Sequence, residues 1–233
     1  MQLLLMSNST GPDGGYLDHC ADVLQEFLTG VSNLLFVPFA VSDELAYGAK
    51  TCERLDRMGV RADWADRTGD LVGQLRQAEA VFIGGGNTFR LLDRLYSTGM
   101  LDAIRRSVAD GVRYVGASAG TNVASPTIKT TNDMPIIEPP SFVALGLVPF
   151  QINPHYVDRD PDSSHQGETR EERLFEYLEE SDRPVVALRE GAILRISRKE
   201  VLLLGSLGAR IYRRGKEPLE YPAGTQLDDL LDI

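Results

Sequence analysis

The sequence predicts an α/β fold built around a mostly parallel sheet. Short apolar runs alternate along the chain with longer amphipathic segments, which is the pattern of successive βαβ units. Gly30, Gly59 and Gly111 each stand between an amphipathic segment and the apolar run that follows it, where glycines commonly end helices. With 233 residues, 42% of them hydrophobic, the chain fits one compact domain over residues 1–233.

Five strands and five helices alternate in the first half of the chain. The apolar runs predict strands at residues 3–6, 33–37, 60–64, 80–83 and 113–116. The amphipathic segments predict helices at residues 16–28, 44–58, 70–77, 88–97 and 101–109.

The pattern changes after Ser125. Residues 126–149 are irregular and contain several prolines, residues 150–154 form an apolar run, and residues 158–166 are polar. We expect the two long segments, 126–149 and 158–166, to cover a site or to contact a second copy of the chain. Thr169 and Glu172 have capping-box spacing at the start of a helix over 170–179. Runs at 184–188, 192–197, 200–204 and 209–213 predict short antiparallel strands.

Composition and charge argue against several classes of protein. The net charge of -10 disfavours nucleic-acid binding, which needs clustered Lys and Arg, but does not exclude a small acidic ligand. Cys20 and Cys52 lie in separate predicted helices without metal-site spacing, so we expect a reducing cytoplasm and no metal or cofactor. The first residues lack the basic region of a secretion signal, and no apolar run is long enough to span a membrane.

Ser118 is the candidate nucleophile. It lies in Gly116-Ala117-Ser118-Ala119-Gly120, a G-x-S-x-G sequence between a predicted strand and a predicted helix. A cramped turn with small neighbours projects the serine Oγ from the sheet and directs the Ala119 N–H at a developing oxyanion. An ordinary small-residue turn is the alternative interpretation.

A second glycine-rich turn, Gly84-Gly85-Gly86-Asn87-Thr88, follows the strand at 80–83. Ligands bind at the carboxyl ends of strands in open α/β sheets, and glycines expose backbone N–H groups there. We expect Gly85 to be the second oxyanion donor beside Ala119. Lys is missing where a P-loop requires it, so this is no nucleotide signature.

His155 is the candidate base among the three histidines of the chain. His19 falls within the first predicted helix and His165 within the polar segment, whereas His155 ends an apolar run that would deliver it to the same sheet edge as Ser118. Two carboxylates could orient its imidazole: Glu190, after the strand at 184–188, and Asp133. Both remain candidates from the sequence.

Arg170 opens the helix at 170–179, where a cation opposes the helix dipole. Neighbouring glutamates could offset that cost in a solvated position. The alternative is a guanidinium directed at a substrate carboxylate, which it can bind bidentately.

Together these segments resemble the peptidase E family of aspartyl dipeptidases. The resemblance rests on motifs in order along most of the chain: LLMSNST (4–10), GGGNTF (84–89), GASAGTN (116–122), TTNDMPI (130–136), QINPH (151–155) and GETR (167–170). It implies a three-layer, class I glutamine amidotransferase-like (flavodoxin-like) fold and serine-dependent, metal-free hydrolysis of Asp-X dipeptides.

The resemblance also implies roles for individual residues. Ser118, His155 and Glu190 match the family's catalytic triad, although its usual Pro-Glu-Gly appears here as Arg189-Glu190-Gly191. Substrate would be bound by Arg170, Asp133 and Asn87, with a small acidic peptide as the ligand. The sequence leaves the oligomeric state open, with a homodimer as one candidate assembly. The alternatives are a cyanophycinase-like peptidase acting on β-Asp-Arg and a non-catalytic binder of acidic peptides.

Overall fold

A computed structural model describes residues 1–11, 14–159 and 167–232 of the protein. The strands are β1 (Gln2–Met6), β2 (Leu34–Val37), β3 (Ala62–Trp64), β4 (Ala80–Ile83), β5 (Arg113–Ala117), β6 (Gln151–Tyr156), β7 (Val185–Arg189), β8 (Ala192–Ser197), β9 (Glu200–Gly205), β10 (Ala209–Tyr212) and β11 (Leu219–Tyr221). The α-helices are α1 (Ala21–Phe27), α2 (Glu44–Arg57), α3 (Leu71–Arg76), α4 (Thr88–Ser97), α5 (Met100–Ala109), α6 (Ala119–Asn122) and α7 (Arg170–Glu179), and Asp228–Leu231 form a 3₁₀ helix.

The main sheet has seven strands in the order β3-β2-β4-β5-β1-β8-β9. The first five strands of this order are parallel, and β8 and β9 extend the sheet antiparallel beyond β1. The predicted mostly parallel sheet and the antiparallel strands of the C-terminal third are therefore confirmed.

Both faces of this sheet are buried, as three layers require. Because successive side chains of a strand point to opposite faces, Leu3 and Leu5 of β1 join one apolar cluster and Leu4 and Met6 join the other. The first cluster includes side chains of α3, α4 and α5, and the second includes side chains of α1 and α2. Continuous apolar strands of this kind are typical of sheets covered on both sides.

A second sheet of four strands, in the order β11-β10-β7-β6, was not predicted. The run at 150–154 does form a strand, but the expectation that this strand shares the sheet edge of Ser118 is wrong. Strand β6 pairs with β7, and α7 covers this sheet by packing Leu174 and Leu178 against it. The two catalytic candidates therefore come from different sheets.

The first predicted helix begins five residues too early. Leu17 has φ +61°, which is incompatible with a helix, and α1 starts only after Cys20. Strand β11 and the 3₁₀ helix were also missed. Within the described ranges, no helix combines the length and apolar character that crossing a membrane requires.

Candidate active site

Ser118 occupies the sharp turn between β5 and α6. Its backbone has φ +54° and ψ -111°, a conformation that costs a non-glycine residue about 1–3 kcal/mol. The Ser118 N–H donates to the Met6 carbonyl oxygen at 3.1 Å, which ties the turn to the end of β1. The predicted strand–turn–helix context is therefore present, and the half-buried Ser118 side chain remains accessible.

Small residues on both sides make this turn possible. A Cβ on Gly120 would lie 2.0 Å from the Ile83 carbonyl oxygen, and a Cβ on Gly116 would lie 2.6 Å from the Gly120 carbonyl oxygen. The buried Tyr114 hydroxyl donates to that same Gly120 oxygen at 2.6 Å. Glycine at position 120 thus permits the close approach of α6 to β4.

His155 and Glu190 complete a hydrogen-bonded chain with Ser118. The His155 Nε2 lies 3.0 Å from Ser118 Oγ, and its Nδ1 lies 2.8 Å from Glu190 Oε1. The side chains of His155 and Glu190 are 40% and 46% exposed, so substrate and water reach them. Of the two carboxylates that the sequence left open, it is Glu190 that contacts the imidazole.

This arrangement fixes the tautomer of the imidazole. An ionised carboxylate only accepts hydrogen bonds, so His155 Nδ1 carries the proton donated to Glu190. Nε2 is then the acceptor for the Ser118 hydroxyl proton, as a general base requires. His155 itself has φ +53°, a second left-handed backbone conformation at the site.

The glycine-rich loop lies directly against the nucleophile. A Cβ on Gly85 would be 3.1 Å from Ser118 Cβ. However, the Gly85 N–H donates to the Tyr47 hydroxyl at 3.1 Å, a partner that no sequence motif indicates. Burial raises the pKa of Tyr47, so this hydroxyl stays neutral. The N–H groups of Ala119 and Gly86 have no acceptor within the described part of the chain.

Asp133 and Asn87 connect the segment 126–149 to the start of α4. Asp133 Oδ2 accepts from the N–H and the hydroxyl of Thr88, at 2.7 and 2.6 Å. Asn87 caps α4 by accepting from the Arg90 N–H at 3.1 Å, and its Nδ2 donates to the Met134 carbonyl oxygen at 2.9 Å. Both predicted substrate-binding residues therefore also have structural partners, which leaves Asp133 Oδ1 for a ligand.

Arg170 is the first residue of α7, next to the capping box formed by Thr169 and Glu172. Its half-buried side chain makes no ion pair or hydrogen bond to any residue that the structure describes. Burial and the nearby Arg173 lower the pKa of Arg170, while Asp133 opposes that shift. A partly desolvated guanidinium is a suitable partner for a ligand carboxylate.

Arg189 precedes Glu190 and does not draw its carboxylate away from His155. Its guanidinium binds Asp158 at 2.7 and 2.8 Å and Glu220 at 2.9 and 3.0 Å. Neighbouring side chains at the end of a strand point to opposite sides, so Arg189 and Glu190 do not compete. The Glu190 carboxylate therefore reaches His155.

His19 lies outside the hydrogen-bonded chain of Ser118, His155 and Glu190. His19 precedes α1 rather than lying within it, and its ring nitrogens are buried without a hydrogen-bond partner in the described ranges. Burial lowers the pKa of His19. His165 lies outside the described residues. Among residues 1–11, 14–159 and 167–232, no group of three or more His, Cys, Asp or Glu side chains could hold a metal ion.

Comparisons with known proteins agree on one family. A family model described as "Peptidase family S51" matches residues 3–204. A Streptomyces coelicolor protein named "Peptidase E" is 52% identical over 233 residues, which cover 100% of this chain and 96% of the relative. A Drosophila melanogaster protein named "Probable alpha-aspartyl dipeptidase" is 45% identical over 214 residues, which cover 91% of this chain and 89% of the relative.

A solved structure shares the overall arrangement. The crystal structure of a peptidase from an acI-B1 Actinobacterium matches with a TM-score of 0.71, covering 97% of this chain and 96% of that one. The two sequences are 17% identical, so this match concerns the fold alone.

Proposed function

This chain belongs to peptidase family S51, and from that premise we propose that it is a serine dipeptidase acting on dipeptides with a free N-terminal aspartate. The observation that carries the proposal is the alignment of Ser118, His155 and Glu190 at 3.0 and 2.8 Å. The names of the relatives support a dipeptidase with a preference for α-aspartyl substrates.

The proposed reaction is acyl transfer in two steps. His155 Nε2 takes the Ser118 hydroxyl proton while Oγ attacks the carbonyl carbon of the N-terminal aspartate. Glu190 stabilises the resulting imidazolium. Collapse of the tetrahedral intermediate breaks the C–N bond, and His155 gives its proton to the leaving amine. Water, activated by the same imidazole, then releases aspartate from Ser118.

Backbone N–H groups at the two glycine-containing turns would stabilise the oxyanion. The Ala119 N–H is the first donor, because a residue that follows the nucleophile into a helix presents its amide to the reacting carbonyl. Gly85 can serve as the second donor only by leaving the Tyr47 hydroxyl. The Gly86 N–H, which has no acceptor in the described ranges, is the alternative donor.

The pocket must recognise a positive ammonium and a negative β-carboxylate close together. We assign the β-carboxylate to Arg170, whose half-buried guanidinium lies near enough to Asp133 to sense its charge. We assign the ammonium to Asp133 Oδ1, with Asn87 alongside. An N-blocked peptide would then lose the charge pair between its ammonium and Asp133.

Release of free aspartate from Asp-Leu tests the proposal, with Leu-Leu, Glu-Leu, N-acetyl-Asp-Leu and β-Asp-Arg as comparisons and a chelator present throughout. We expect Asp-Leu alone to be cleaved, and Ser118→Ala to lower kcat by at least about 10⁴-fold. Cleavage of β-Asp-Arg instead would favour the cyanophycinase-like alternative. Absence of both hydrolysis and labelling of Ser118 by a serine-reactive phosphonate would favour a non-catalytic binder.

Self-association and cellular location complete the proposal. Residues 126–149 expose several large apolar side chains, Met134, Ile136, Ile137, Phe142 and Val143, which are suited to contact a second copy of the chain. Light scattering across a concentration series tests the homodimer. A cytoplasmic location is consistent with two free cysteines.

A further inference from the structure

Ser7 lies at a junction of the two sheets, immediately after β1. Its side chain is completely buried, yet the mechanism above does not use it. The Ser7 hydroxyl accepts from the His155 N–H at 2.9 Å and donates to the Leu188 carbonyl oxygen at 2.9 Å. One buried hydroxyl therefore connects the backbone of the proposed base with the strand that leads to Glu190.

The bond to His155 is made where β6 is least regular. The pairing of β6 with β7 is interrupted between Asn153 and Tyr156, and His155 has a left-handed backbone. Such a conformation persists only where the surroundings determine it. The His155 N–H has no β-ladder partner at this interruption, so Ser7 supplies the acceptor that fixes its direction.

The neighbours of Ser7 contact the segments that carry the other two triad members. The Met6 carbonyl oxygen accepts from the Ser118 N–H at 3.1 Å. Asn8 Oδ1 accepts from the N–H of Gly191, the residue after Glu190, at 2.7 Å. Three consecutive residues at the carboxyl end of β1 thus contact the segments that carry the nucleophile, the base and the carboxylate.

We propose that Ser7 is a positioning residue for the triad, setting the placement of the His155 imidazole between Ser118 and Glu190. The inference rests on the proposed function, because it assumes that these three side chains react together. Removing the hydroxyl would free the His155 backbone without touching a reacting atom. Displacements of about 1 Å at such a site cost on the order of 10²-fold in rate.

Ser125 offers a matched control. Its hydroxyl is also completely buried and also accepts a backbone N–H of β6, that of Ile152, at 3.0 Å. Ser7→Ala and Ser125→Ala each remove one buried hydroxyl that accepts a backbone N–H of β6, so we expect both to lower Tm by about 3–10 °C. They differ in which residue of β6 is released, and Ser7→Ala also removes the hydrogen bond to the Leu188 carbonyl oxygen.

The experiment compares both variants in two assays below their melting temperatures. In the first, kcat and KM are measured with Asp-Leu. In the second, the rate at which a small fluorophosphonate labels Ser118 reports the alignment of nucleophile and base without an aspartyl substrate. For Ser7→Ala we expect kcat and the labelling rate to fall by about 10- to 100-fold with KM within about threefold. Ser125→Ala should stay within twofold in all three quantities.

Equal rates for the two variants would overturn the inference, as would a loss confined to KM. If Ser7→Ala does not fold, Ser7→Cys replaces it, since a thiol is a similar size but a weaker acceptor. We then expect a smaller drop in both rates, and unchanged rates would overturn the inference. A wild-type protein that neither hydrolyses Asp-Leu nor reacts with fluorophosphonate would instead overturn the proposed function, and with it the need for a positioning residue.

Discussion

Replacing Gly120 by alanine tests whether the nucleophile depends on the close approach of α6 to β4. The new Cβ would lie 2.0 Å from the Ile83 carbonyl oxygen and 2.8 Å from its carbonyl carbon. These are backbone atoms of a central strand and cannot rotate away. Cβ contacts under 3.0 Å essentially do not occur, so the turn must move by at least 3.0 - 2.0 = 1.0 Å.

Gly120→Ala has two opposing effects on the stability of the protein. Alanine in place of a helical glycine lowers the entropy cost of folding and is favourable by roughly 0.5–1 kcal/mol. Overpacking costs about 1–3 kcal/mol, so the net result is a destabilisation of about 0–2.5 kcal/mol. Catalysis is more sensitive, because a 1 Å displacement of Ser118 and the Ala119 N–H costs on the order of 10²-fold.

Steady-state hydrolysis of Asp-Leu and calorimetric Tm measure the two effects separately. We expect kcat of Gly120→Ala to fall by about 100-fold while Tm falls by no more than about 10 °C. Gly69→Ala is the control, since its Cβ would meet nothing closer than 3.5 Å in an exposed turn. A Gly120→Ala enzyme with kcat within threefold of wild type would refute the argument that this glycine is required to place the nucleophile.

Three further predictions concern side chains around the triad. Glu190→Gln should lower kcat by about 10²- to 10⁴-fold in steady-state assays, because the amide no longer selects the reactive tautomer of His155; an unchanged kcat would contradict the role of the carboxylate. Arg170→Ala should lower kcat/KM for Asp-Leu by about 10²-fold but leave fluorophosphonate labelling within twofold, since only the aspartyl substrate loses a charged partner; slower labelling would show that Arg170 acts on the triad. Asp158→Asn should lower the urea midpoint at pH 7 but not at pH 2. Hydrogen bonds from Arg189 lower the pKa of Asp158 below its usual 3.8, so its stabilising effect is complete above that value and disappears as the pH falls through the folded-state pKa. Because Asp158 is half exposed, the effect should stay below about 1 kcal/mol, and an equal effect at both pH values would contradict the assignment.

Local sequence patterns predicted many of the secondary-structure elements well. The bounds of β4, α4, β8 and α7 agree with the prediction, because apolar periodicity and capping residues such as Asn87 and Thr169 lie next to each other in the chain. The start of α1 was wrong because the left-handed turn at Leu17 leaves no signal in apolar spacing. The second sheet was missed because the choice of a strand's partner depends on residues far away in sequence.

The sequence by itself determined the mostly parallel α/β sheet and the turn that carries Ser118. These features follow from apolar periodicity and from motifs of a few consecutive residues. The sequence also favoured His155, but through a shared sheet edge that the structure does not have. Only the tertiary structure decided that Glu190 rather than Asp133 contacts His155, that Tyr47 accepts the Gly85 N–H, and that Ser7 joins the base to the strand before Glu190. Each of these contacts joins residues at least 35 positions apart, and their side chains meet only when the two sheets pack together or a helix folds back against a loop.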